Sequence, residues 1–386
     1  MKKLAATIFA FLFVAFPVFA QQPIKVGVIA PFTGAFADYG KQFDAGVRAF
    51  QKLRGDTVAG RKVQVIVKDT GGPSPEVARR LAQELVVQEN VDFLAGFGLT
   101  PEALAVADVA TQAKKPMVIF NAATSIIPTK SPYIARTSMT LPQISAPLGT
   151  WAAKNGIKKV VTLVADYGPG NDAEGAFKKS FAAGGGQVVE SIRTPLQNPD
   201  FGPFIQRVKD SKPEAVFIFV PAGQQSIAVM KAYTERGLEQ LGIKAIATGD
   251  VTDDHVLNAM GDSALGLITT FHYSAAHDSP ENKAFLQAYA LVAPDAGRAN
   301  FMTVGAFDGM ALIYDIIAKL DGKIDADKAM EVAKSWKTQS PRGPISIDPQ
   351  RDIVQTIYVR RVERRNGELW NIEFDKFENV SDPGKP

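Results

Sequence analysis

Short apolar runs alternate along this chain with longer stretches whose apolar residues recur every three to four positions. The first run, Ile24-Lys25-Val26-Gly27-Val28-Ile29-Ala30, is stopped by Pro31 and predicts a strand. Residues 41–53 follow with Phe43, Val47, Phe50 and Leu53 at helical spacing. The same β-then-α rhythm gives strands at 63–67, 91–95 and 117–120, and helices at 74–88 and 101–113. Such alternation predicts a parallel sheet covered by helices on both faces.

After Tyr133-Ile134-Ala135-Arg136-Thr137 the pattern leaves that sheet and a second set begins. Helices are expected at 142–155, 171–182, 201–209 and 225–235, and strands at 160–164, 187–192, 215–220, 243–247 and 267–271. Helices at 280–291, 300–320 and 326–336 come next, and Pro341 to Pro344 reads as a breaker. Asn366-Gly367 then sits between two alternating runs, a strong hairpin signal. The halves echo each other without repeating in sequence: residues 117–124 parallel 243–250, and the third strand with its glycine loop parallels 216–223. Two similar α/β lobes facing one another would gather these strand-end loops around one cleft, where open parallel sheets bind ligands.

One such loop carries candidate chemistry by itself. Met117-Val118-Ile119-Phe120 stops in Asn121-Ala122-Ala123-Thr124-Ser125. Ala122 and Ala123 allow close approach to the backbone, while Thr124 and Ser125 add hydroxyls. Together with free N–H groups these suit a carboxylate. The same residues also fit an ordinary strand-to-helix turn.

Composition narrows the setting. Lys2 and Lys3 precede an apolar run to Phe19, and Val18-Phe19-Ala20 fits a cleavage site, so residues 1–20 read as an export signal cut after Ala20. No other stretch reads as long and apolar enough to span a membrane. The chain has no cysteine, which argues against a lipid-anchored export signal, disulfides and thiolate metal sites. The formal charge of +3 falls to +1 (3 − 2) without Lys2 and Lys3. With no basic run, neither nucleic acid nor an anionic membrane is an expected partner. The export signal without an anchor leads to the expectation of a soluble periplasmic protein, and the 366 residues (386 − 20) that remain predict two domains.

Catalytic signatures are missing. There is no Walker motif, Pro101 replaces the third glycine after Gly96-Phe97-Gly98, and no serine occupies a nucleophile elbow. His255, His272 and His277 do not form a metal pattern, and Asp253-Asp254 read as acids at a helix start. No cofactor, metal or enzymatic activity is expected.

Pro31-Phe32-Thr33-Gly34 with Tyr39-Gly40, Asn121-Ala122-Ala123-Thr124, Asp166-Tyr167-Gly168 and Thr248-Gly249-Asp250 occur together and in this order. In that respect the chain resembles the periplasmic substrate-binding proteins of ABC importers, specifically the leucine/isoleucine/valine-binding branch of the type I fold, from Ile24 to about Phe377. The resemblance implies two doubly wound parallel-sheet lobes joined by three crossings, near 137–141, 270–273 and 343–347. Lobe one would comprise residues 21–140 and 272–344, and lobe two 141–271 and 345–386. By the same resemblance Gly98, Leu99, Thr100, Ala122, Ala123 and Thr124 hold a ligand carboxylate. Tyr167 supplies an aromatic wall and Asp250 an acid for an α-ammonium.

Phe36 and Tyr39 would wall the pocket, with Tyr273 within reach at the hinge. Asp250 has a plainer reading as the cap of a helix beginning near Val251. Pro221-Ala222 stand where relatives selecting amino acids tend to carry an aromatic. The expected function is therefore a monomeric binding protein for a branched-chain or hydrophobic amino acid, delivering it to membrane permease subunits. Two alternatives stay open: a binding protein for benzoate- or cinnamate-type acids, in which Asp250 accepts from a ring hydroxyl, and a periplasmic sensor module.

Overall fold

The computed structural model describes residues 22–385, so the expected export signal and its cut after Ala20 lie outside the described residues. The first sheet is built from β1 (Ile24–Ala30), β2 (Thr57–Val58), β3 (Arg61–Asp69), β4 (Phe93–Gly96), β5 (Met117–Ile119) and β6 (Ile134–Arg136), in the order β2-β3-β1-β4-β5-β6. All pairs but β2–β3 are parallel. The crossovers are α1 (Ala37–Arg54), α2 (Pro75–Val87) and α3 (Thr100–Ala113). Buried on both faces, β4 and β5 are continuous apolar runs, as parallel strands require.

The chain then crosses to a second sheet through α4 (Leu141–Lys154), whose N-cap Thr140 accepts a hydrogen bond from the Gln143 N–H at 3.2 Å. Here β7 (Lys159–Ala165), β8 (Gln187–Thr194), β9 (Ala215–Phe219), β10 (Lys244–Thr248) and β11 (Ile268–Phe271) run parallel in the order β11-β10-β9-β7-β8. They are covered by α5 (Gly168–Ala183), α6 (Phe201–Asp210) and α7 (Gln224–Glu235). The mixed α/β architecture of two parallel-sheet lobes is that expected from the alternation.

From β11 the chain returns to lobe one as α8 (Pro280–Val292), α9 (Phe301–Lys319) and α10 (Ala326–Lys334). Helix α9 starts at a capping box: the Asn300 side chain accepts from the Thr303 N–H, and the Asn300 N–H donates back to Thr303 Oγ1. It packs so closely on β5 that a Cβ at Gly305 would stand 2.2 Å from the Phe120 carbonyl oxygen. At 19 residues α9 is long and apolar enough to cross a membrane, contrary to the expectation that no such stretch exists, but 78% of its apolar window is buried in this core.

Two further expectations are corrected here. The breaker at 341–344 is the turn (341–342) and first strand residues of a hairpin, β12 (Lys337–Ser340) with β13 (Gly343–Ile347), and both strands belong to the second sheet. The chain therefore reaches that sheet by Lys337, ahead of the third crossing expected at 343–347. Also, no α-helix begins at Val251; the backbone turns from Gly249 to His255 and enters only a 3-10 segment at Leu257–Ala264. Asp253 and Asp254 are thus buried turn residues rather than acids of a helix start. The Asn366-Gly367 hairpin is present and long: β14 (Ile353–Arg365) and β15 (Glu368–Val380) extend the second sheet antiparallel.

Candidate functional site

Five strand ends meet between the lobes. The loop after β4 brings Gly98, Leu99 and Thr100, and that after β5 brings Asn121, Ala122 and Ala123. From lobe two come Tyr167 and Pro169 after β7, Phe219 and Pro221 at the end of β9, and Asp250 after β10. Tyr39 on α1 and Met139 and Leu141 at the first crossing complete the lining. The free space they enclose is about 20 Å3, room for roughly one water-sized group. A larger ligand enters only when the lobes or side chains draw apart.

On lobe one the strand-end loops present backbone and small groups, with Tyr39 and Leu99 beside them. Thr100 opens α3, so the positive end of that helix points at the cleft. Thr100 Oγ1 and Thr124 Oγ1 are 2.9 Å apart, and one hydroxyl donates to the other, leaving one proton free for a ligand. Asn121 donates through Nδ2 to the Gly98 carbonyl at 2.8 Å and keeps a buried Oδ1 without a donor. Beneath this loop the fully buried Arg136 donates to the carbonyls of Ala122 (2.8 Å) and Thr124 (3.0 Å). The same guanidinium pairs with both oxygens of Asp352. A buried ion pair thus sets the shape of the small-residue loop.

On lobe two the surface is side-chain chemistry. Tyr167 stacks on Phe219, with ring centroids 6.1 Å apart and planes within 15°. Asp250 is 6% exposed, and its Oδ2 has no hydrogen-bond donor. Burial pushes its pKa up to about 6, against lowering by the neighbouring Thr248 hydroxyl and by Arg360. Arg360 is occupied elsewhere: it donates to Thr252 Oγ1 and Thr269 Oγ1, each at 3.1 Å, and to the Tyr273 carbonyl. Burial also raises the Tyr39 and Tyr167 phenols, helped by the Asp250 charge, so both stay protonated donors.

Of the residues expected to touch ligand, Tyr39, Gly98, Leu99, Thr100, Ala122, Ala123, Tyr167, Pro221 and Asp250 line this cleft. Thr124 stands directly behind it against Gly168 of lobe two, where an added Cβ would lie 3.0 Å from Thr124 Oγ1. Phe36 and Ala222 face a neighbouring outer space instead. Tyr273 does not reach the cleft, because its hydroxyl donates to Asn282 Oδ1 at 3.0 Å and its ring packs on Phe285. His272 is fully buried and kept neutral by burial, with its charged form also opposed by Arg342 and Arg360.

Met139, Leu141, Pro169 and Phe219 were not expected. Phe219 had a visible signal, as the aromatic ending a strand whose neighbour in the sheet leads into Tyr167. The described residues contain no cluster of histidines and acids able to hold a metal, and nothing in the cleft is arranged as a nucleophile with its base.

Two facing α/β lobes with strand-end loops converging on one interlobe cleft are the architecture of a type I solute-binding protein. The chain belongs to the periplasmic binding protein family, which it matches over residues 23–368. A Brucella melitensis protein named Leu/Ile/Val-binding protein homolog 6 is 47% identical over 386 residues, covering 100% of this chain and 99% of its own length. A solute-binding protein of an ABC transporter from Rhodopseudomonas palustris, solved in complex with 3,4-dihydroxybenzoic acid, is 55% identical with a TM-score of 0.91. That likeness covers 94% of this chain and 99% of the other. Another solute-binding protein from the same species, solved with 4-hydroxybenzoate, is 46% identical with a TM-score of 0.92, over 94% and 99% of the two chains.

Proposed function

We propose that this protein is the periplasmic receptor of an ABC importer for hydroxylated benzoates, exported by cleavage after Ala20 and acting as a monomer. The ligand bridges both lobes only when they are shut, so binding shifts an open–closed equilibrium towards the form a membrane permease receives. The carboxylate meets the Thr100–Thr124 hydroxyls and the start of α3 on lobe one. The ring lies among Tyr39, Leu99, Met139, Leu141 and the Tyr167–Phe219 pair, and the ring hydroxyl donates to Asp250. The ligand is held and released unchanged.

One observation carries this reading: a buried carboxylate oxygen without a donor, Asp250 Oδ2, lines an otherwise aromatic and apolar wall. A phenol brings a single donor to that acceptor, whereas an α-ammonium brings three that must all be met in a dry cleft. The ligands of the two Rhodopseudomonas palustris proteins support the same chemistry. A second reading, a branched-chain amino acid with its ammonium on Asp250, is favoured by the name of the Brucella melitensis relative.

Calorimetry with 4-hydroxybenzoate, 3,4-dihydroxybenzoate, benzoate and leucine separates the two. The hydroxybenzoates are expected to bind with Kd near about 1 μM, equivalent to about −8 kcal/mol, and more tightly than benzoate. Leucine binding with no response to any aromatic acid would transfer the assignment to the amino acid.

A further inference from the structure

A second interlobe space of about 310 Å3 lies beyond the inner cleft, reached past Phe36 and Ala222. That volume is at the lower end for small-molecule sites, roughly 300–1,000 Å3. Both of its walls are built. On lobe one the Asp69 carboxylate accepts from the Phe32 N–H (2.7 Å), the Gly71 N–H (2.8 Å) and the Thr33 hydroxyl (2.7 Å), tying the 31–36 loop to the 69–73 turn. On lobe two Gln225 donates through Nε2 to the Leu196 carbonyl at 2.7 Å, while its Oε1 is shut from solvent with no donor. None of the side chains lining this chamber is charged; its polar groups are the amides of Gln197, Asn198, Gln224 and Gln225.

The partition between the two spaces is thin. Tyr39, which lines the cleft, donates through its hydroxyl to the carbonyl of Ala222, which lines the chamber, at 3.3 Å, and Phe36 of the chamber lies edge-on against the Tyr39 ring. The chamber also lies at the Asp250 end of the cleft. Ser226 Oγ bonds the Pro221 carbonyl (3.2 Å) and the Asp250 carbonyl (3.1 Å), fastening that end to the first turn of α7, which walls the chamber.

We propose that the outer chamber is a second subsite that accepts an uncharged, hydroxyl-rich substituent, such as a glycosyl group, carried on the ring oxygen of the aromatic acid. The proposal rests on the hydroxybenzoate reading of the inner cleft. Primary amides both donate and accept, so they match hydroxyls, whereas a charged substituent would find no countercharge. With the ring oxygen substituted, the donor to Asp250 comes from a sugar hydroxyl, and a swing of the Tyr39 ring away from Ala222 opens the passage.

The test is calorimetry on the mature protein with 4-hydroxybenzoate and with 4-(β-D-glucopyranosyloxy)benzoate. The glucoside is expected to bind within about tenfold of the parent acid, less than about 1.4 kcal/mol. Ala228 is an exposed α7 position on the chamber wall, so Ala228→Phe fills the chamber without touching the core. It should weaken the glucoside by about tenfold or more and leave 4-hydroxybenzoate unchanged. A glucoside more than about tenfold weaker than a parent that binds, or an Ala228→Phe effect that is absent or equal on both ligands, overturns the subsite alone. Failure of both ligands to bind overturns the subsite together with the inner-cleft reading.

Discussion

Lobe one meets the cleft with backbone, small side chains and threonine hydroxyls beside Tyr39 and Leu99, while lobe two meets it with the Tyr167–Phe219 pair and a buried acid. The first surface gets its shape from below, where Arg136 and Asp352 hold the carbonyls of Ala122 and Thr124. The second gets its chemistry from what is left unpaired: Asp250 Oδ2 has no donor although Arg360 is close enough to act on its charge. A surface made of main-chain groups suits the carboxylate that all candidate ligands share. A surface made of side chains can change its preference by single substitutions. The contrast places general affinity on lobe one and selectivity on lobe two.

The largest effect should come from removing the brace beneath lobe one. Arg136→Ala leaves the buried Asp352 with Lys385 as its ion-pair partner among the described residues, so the cost falls at or below the low end of the about 3–5 kcal/mol for breaking a buried pair. Urea unfolding should show that loss, and calorimetry should show every carboxylate ligand weakened together. Next in size is Asp250→Asn on lobe two. A hydrogen bond to a charged group contributes about 1.5–3 kcal/mol, so the hydroxybenzoates should lose roughly ten- to a hundredfold while benzoate is little changed. An equal loss for benzoate would place Asp250 in general affinity and erase the contrast.

These two variants also mark what the sequence could show. Asp250 was expected in the site through the family resemblance, and its place at the end of a local apolar run agrees with strand ends being where open sheets bind. Strand-end position by itself reached Ala123, while Thr100 came with the resemblance. Arg136 and Asp352 were not legible as a pair, since 216 positions separate them and only the fold brings them together. The hairpin at Lys337–Ile347 escaped for another reason: Lys337-Thr338-Gln339-Ser340 has no apolar alternation, and it is a strand because β13 offers its edge. Asp253 looked like a helix-start acid from its neighbours. Its role depends on Asn300 of lobe one, whose Nδ2 donates to it at 2.8 Å.

Acidity gives a sharper cut at a smaller magnitude. Because burial raises Asp250 to about 6 from 3.8, the folded protein takes up a proton between those values that the unfolded chain does not. For this group the ligand-free protein therefore becomes more stable as pH falls from about 6 towards 4, and the gain is absent above about 7. Affinity moves the other way, because the charged carboxylate is the better acceptor. Binding of 4-hydroxybenzoate should weaken by up to about tenfold per pH unit below 6. Asp253, raised to about 7 by burial, adds a stability change of the same sign, so the Asp250→Asn protein is the reference for both measurements. A wild-type affinity that stays level from pH 7 to 5 would remove Asp250 from ligand contact.

The smallest expected effect tests lobe one from the ligand side. Thr124→Val keeps the shape of the side chain and removes one member of the 2.9 Å hydroxyl pair with Thr100. Thr100 keeps its one proton for a carboxylate but loses the neighbouring hydroxyl that orients it, a net hydrogen-bond contribution of about 0.5–1.5 kcal/mol. Benzoate, 4-hydroxybenzoate and 3,4-dihydroxybenzoate should all weaken by the same factor, since the ring hydroxyls lie across the cleft. Because Thr124 also abuts Gly168 of lobe two, the substitution could instead act by loosening closure. That too would weaken the three ligands equally, and either effect appears as faster dissociation of all three in stopped-flow measurements. A factor that varies with ring hydroxylation would mean that lobe one reads the ring as well, and the division of labour between the lobes would fail.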